Sequence, residues 1–62
     1  MSHFKLVSSM GIHFPEDATL TVAISEAQKL SRMTEGEVTV YMEGKIMSHK
    51  MAVVLKGEVR FV

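Results

Sequence analysis

The sequence predicts an α/β fold: a small β-α-β-(α)-β unit with parallel strands around one main helix. Three observations lead there. An apolar stretch opens the chain, a long segment of helical periodicity follows, and a β-branched segment comes directly after a glycine. Strand, helix and strand in that order favour a right-handed crossover between parallel strands. The alternative is an α+β arrangement, β-α-β-β, with a long last strand.

Residues 4–8 carry Phe4, Leu6 and Val7 and read as a short strand. Ser8-Ser9-Met10-Gly11-Ile12-His13 reads as a loop. Pro15 then suits a first helical turn, where its missing N–H would be unpaired anyway. Glu16 and Asp17 suit the positive end of the helix dipole. The helix is expected over residues 15–33, because Leu20, Ala23, Ile24, Ala27 and Leu30 recur at spacings of three and four. Ser25, Glu26, Lys29 and Arg32 fall mostly on the other side. Gly36 suits a left-handed cap after Thr34 and Glu35.

Residues 37–42, Glu-Val-Thr-Val-Tyr-Met, form the clearest strand, and Glu43-Gly44 reads as a turn. Residues 46–56 admit two readings. Met47, Met51, Val54 and Leu55 fit one face of a helix, whereas Met51, Val53 and Leu55 alternate as a strand does. The helical reading is adopted, because a long last strand would lack an equally long partner. Glu58-Val59-Arg60-Phe61-Val62 alternates and closes the chain as a strand.

Composition narrows the function classes. The 62 residues make one domain, 1–62. A chain of this length buries only about 60 % of its unfolded surface. It holds no cysteine, so neither a disulfide nor a Cys-rich zinc site can staple it. Self-association is the most economical remaining source of buried area, and a homo-oligomer is expected. Seven basic and seven acidic residues balance, which gives no field for nucleic acid or an anionic membrane. The few aromatic residues are scattered and offer no stacking platform. No apolar run is long enough for a membrane span, and the first residues lack the layout of a secretion signal. A cytoplasmic location is the default. Phe61-Val62 ends the sequence inside an apolar strand, an edge that invites another chain or marks a piece of a longer protein.

His13 is the candidate catalytic residue. It lies in a glycine-containing loop ahead of a helix, where free N–H groups attract anions, and histidine exchanges protons near neutral pH. His3, His13 and His49 match no metal-ligand spacing, so no metal is expected. Ser8-Ser9-Met10-Gly11 has a single glycine and falls short of a phosphate-binding loop. Glu16-Asp17 and the Glu35/Glu37 pair read as capping or solvated charges. The six methionines read as filler for core and interface.

Pro15-Glu16-Asp17-Ala18-Thr19, the apolar helix and Glu37-Val38-Thr39-Val40-Tyr41-Met42-Glu43-Gly44 together resemble the DsrE-like family of sulfur-relay proteins, and so does Leu55-Lys56-Gly57-Glu58-Val59. The resemblance implies trimers or hexamers. In active members a cysteine carries the persulfide. This chain has none, so what the resemblance implies is a non-catalytic relative acting through oligomerisation or partner binding. Gly11-Ile12-His13 with Pro15, after Phe4-Lys5-Leu6, is similar to the active-site approach of the HPr phosphocarriers, as is Gly44-Lys45 to a later turn. That implies phosphorylation of His13, although the arginine between histidine and proline is missing. Chain length resembles that of dodecin-like flavin-binding oligomers, without their stacking tryptophan. No cofactor is expected under the leading reading.

Overall fold

The computed structural model describes residues 3–15 and 19–62. Its elements are β1 (His3–Ser8), β2 (Gly11–His13), α1 (Leu20–Thr34), β3 (Glu37–Glu43), β4 (Ser48–Leu55) and β5 (Glu58–Phe61). The strands form one five-stranded sheet in the order β2-β1-β3-β4-β5, and every neighbouring pair is antiparallel. This corrects the parallel β-α-β-(α)-β expectation. The reason lies in residues 8–13, expected to be loop. Ser9-Met10 turn the chain back on itself, and β2 pairs with β1 before the helix begins. The helical crossover therefore leaves from β2 rather than β1. It delivers β3 to the far side of β1, antiparallel to it.

The hairpin turn is held locally. The Met10 N–H donates to Ser8 Oγ at 3.2 Å, and Gly11 takes a φ of 122°, a region favouring glycine. α1 starts at Leu20 rather than Pro15. Thr19 is its N-cap, with Oγ1 accepting from the Val22 N–H at 3.3 Å. The first turn holds no acidic residue, and the expected dipole partners Glu16 and Asp17 lie outside the described residues. At the other end Glu35, not Gly36, takes the left-handed cap, at φ 55°.

The helix expected near residues 46–56 is strand. The alternative's single long strand is corrected too, because β4 and β5 are separate arms of a hairpin. Lys56 and Gly57 connect them with φ values of 51° and 84°. Two consecutive positive φ angles match the type I′ turn, whose twist suits a two-residue hairpin. A bulge interrupts β4: Val40 pairs with Ala52, but Tyr41 pairs with Lys50. Met51 is the extra residue, and it packs against the core beside Ala52.

α1 covers one face of the sheet, here the inner face. Phe4 and Leu6 of β1, Val38 and Val40 of β3, and Ala52 and Val54 of β4 are buried against Ala23 and Ala27 of the helix. Two alanines at the contact let the helix sit close to the strands. Leu20, Ile24 and Leu30 flank that contact half-buried. Among the described residues no helix is long and apolar enough to cross a membrane.

Candidate functional site

A five-stranded sheet spans about 19 Å across its strands, whereas a helix is only about 10 Å wide. α1 packs mainly on β1, β3 and β4, so the inner face is left uncovered over β2 on one side and β5 on the other. Each uncovered flank forms a trough beside the helix.

The trough over β2 holds His13. The register sets Leu6 opposite His13, so the imidazole shares the inner face with a core leucine but lies beyond the helix, exposed. Met10, Leu30 and Met33 supply the apolar lining of this 390 Å³ groove, and Glu26 and Lys29 supply its charges. Met10 and Met33 are strongly exposed, while Met42 and Met51 pack against the core. Among the described residues the His13 side chain makes no hydrogen bond, so no partner there orients it as a base. The Ser8 hydroxyl is occupied within the hairpin, accepting from Met10 and donating to the Gly11 carbonyl at 3.5 Å. The loop residues thus fold the chain back instead of cradling a phosphate.

The three histidines are not brought together. His3 lies opposite Glu43, while His49 lies opposite Met42, which packs against the core on the other face. Among the described residues no group of three potential ligands could hold a metal ion. Glu35 caps the helix and Glu37 opens β3 opposite Leu55, so these two carboxylates serve different elements.

The trough over β5 is lined by Leu20, Ile24 and Gln28 from the helix and by Phe61 from the strand, and measures 350 Å³. Phe61 is 68 % exposed there, an aromatic side chain resting beside the helix without being covered by it.

Two polar arrangements had not been expected from the sequence. On the open face Glu43 joins three strands: its Oε1 lies 2.9 Å from Lys5 Nζ, and its Oε2 accepts from the Ser48 hydroxyl at 2.7 Å. The hydroxyl and then the lysine hold the Glu43 carboxyl below its ordinary 4.5, against a smaller opposing effect of desolvation. Lys5 Nζ also stands 5.1 Å from the centre of the Tyr41 ring. The other arrangement ties the helix to the last turn. Buried Ser31 accepts from the Gly57 N–H at 2.9 Å, and Gln28 Nε2 donates to the Gly57 carbonyl at 3.0 Å. Lys-Gly between two alternating segments was the local signal for that hairpin. Nothing local could have signalled the Lys5–Glu43–Ser48 contacts, since the residues are joined only by strand register.

Both arrangements knit elements together and leave no reactive atom facing a cavity. Apolar side chains crowd the troughs instead. Comparison with protein-family models, with curated proteins and with solved structures found no match to this chain.

Proposed function

We propose that this chain is a non-catalytic module that works by self-association. One observation carries the reading: among the described residues a single helix faces five strands, and the flanks it leaves bare expose Met10, Met33 and Phe61 beside the polar side chains that share those grooves. Exposed apolar side chains gathered in grooves, rather than scattered singly, are what interaction surfaces present. A chain this small has much to gain from burying them.

Light scattering on a sizing column tests the proposal. The expected result is a mass of at least twice the chain's 6.9 kDa at micromolar concentration. A monomer at every concentration up to the millimolar range would overturn it.

A second reading, phosphoryl transfer through His13, draws support from Lys29 on the same groove. A cation there supplies a charged partner for a phosphoryl group where the HPr-type arginine is missing. In this reading an imidazole nitrogen of His13 attacks the phosphorus of a phosphohistidine donor, and the donor's imidazole leaves. Incubation with such a donor, followed by intact mass measurement at alkaline and acid pH, decides it. No acid-labile adduct on His13 removes this alternative.

A further inference from the structure

We infer that two copies of this chain join through the outer edge of β5, with Val59 on the two-fold axis. The inference rests on the self-association proposed above and specifies its geometry.

The edge follows from the hydrogen bonding of the last hairpin. The Val62 N–H donates to the Met51 carbonyl at 3.1 Å, and the pairs Ala52–Phe61, Val53–Arg60, Val54–Val59 and Leu55–Glu58 precede it in register. Bonded and non-bonded pairs alternate along an antiparallel ladder. Arg60 and Glu58 therefore spend their backbone groups on β4. Val59 and Phe61 turn theirs outward, away from every described strand. Such an edge is a template for another strand unless a protein blunts it.

Side-chain order then selects the partner and the register. Glu58 and Arg60 project from the open face, 81 % and 71 % exposed between them at the arginine and the glutamate respectively, with only a 3.5 Å contact to each other. A second copy running antiparallel, with Val59 facing Val59, sets Glu58 of each chain opposite Arg60 of the other. The segment Glu-Val-Arg is thus complementary to itself under a two-fold rotation. Sliding the pairing by two residues would instead set the two Arg60 side chains against each other, which is unfavourable between directly opposed positions. Val59 of each copy would exchange both its N–H and its C=O with the other.

The inner face fits the same arrangement. With α1 centred over β3, strand spacing places the two helix axes about 24 Å apart in the ten-stranded sheet. The floor between them is β5 and its copy. Phe61 from each chain enters this space, where Leu20 and Ile24 form the walls. The two-fold makes the interface isologous, so it closes on itself as a dimer.

Charge exchange tests the geometry. Glu58→Arg makes both positions basic and Arg60→Glu makes both acidic. Each variant alone turns two cross-strand attractions into repulsions, so dimer dissociation constants should rise about tenfold or more. An equimolar mixture of the two variants should recover association as a heterodimer. Within each variant the neighbouring charges stay alike, so recovery must come across the interface. If the original chain associates and both variants associate equally well, the β5 edge is wrong while self-association stands. If the original chain is monomeric, both readings fall. Circular dichroism of each variant confirms that the exposed substitutions leave the fold intact.

Discussion

Ser31→Ala tests how the helix is fastened to the last hairpin. The hydroxyl is fully buried, accepts from the Gly57 N–H at 2.9 Å and donates to the Gln28 carbonyl at 3.0 Å. Gln28 keeps its place in the helix ladder without that donor, so the loss falls on Gly57. A buried N–H left without a partner costs about 1–3 kcal/mol. The methyl group of alanine fits the space, so no packing strain adds to this. For a domain of this size each kcal/mol lowers the melting temperature by roughly 4–8 °C. Urea unfolding followed by circular dichroism should therefore show an unfolding free energy lowered by about 1–3 kcal/mol, seen as a lower midpoint with an unchanged slope. A change within about 0.5 kcal/mol, the range of ordinary surface substitutions, would refute the reasoning and mean that water replaces the hydroxyl.

The same turn gives a second arm. A Cβ on Gly57 would lie 2.7 Å from Arg32 Nε, at a φ of 84° that a side chain rarely adopts. The guanidinium is the far end of an exposed, flexible side chain and can swing aside, so Gly57→Ala should cost the roughly 1–2 kcal/mol of the left-handed conformation. Arg32→Ala in that background should return little of it in the same urea assay. If the double variant recovers most of the loss, the contact with Arg32 rather than the backbone is what excludes a side chain there.

Three further expectations follow from single residues. Because the Glu43 carboxyl is held below its ordinary 4.5, its stabilisation is complete above that value and is lost as pH falls through the lowered one; Glu43→Gln should flatten this acid limb in a titration of unfolding free energy. Glu35 occupies a left-handed cap at φ 55°, so Glu35→Gly should raise stability by about 1 kcal/mol in the same urea assay, an outcome opposite to that of most glycine substitutions. Leu6 is fully buried in the core between β1 and the helix, and Leu6→Ala should cost about 2–5 kcal/mol, enough to abolish the folded circular dichroism signal of so small a core.

What the sequence made legible was local, and what it hid was relational. Leu20, Ala23, Ile24, Ala27 and Leu30 announce the helix, and those five do face the sheet. The strand over residues 37–42 was equally plain from its β-branched residues, although it runs one residue further, through Glu43, which reads from the sequence as part of a turn. Helix ends were blurred because a proline competed with a threonine. Pro15 is compatible with a first turn, but Thr19 carries the hydroxyl that receives a free N–H. At Glu35 the geometry of the cap overrode the preference for glycine one residue later. The largest error has a definite physical origin in Met51. A bulge turns two successive residues, Met51 and Ala52, toward the core, so Met51 and Val54 share a face although three positions separate them. That spacing is the signature of a helix, and here a strand produces it. The direction of the strands was hidden for a comparable reason: β2 has three residues, too few to show alternation, yet its presence decides which strand launches the crossover. His13 illustrates both sides. Its type and its neighbourhood before a helix were readable, but its position on the inner face depends on pairing with Leu6, a contact that no local pattern encodes. The same dependence on register runs through the Val59-centred edge: Glu58 and Arg60 become complementary to a second copy only once Val62 has fixed which backbone groups of β5 point outward.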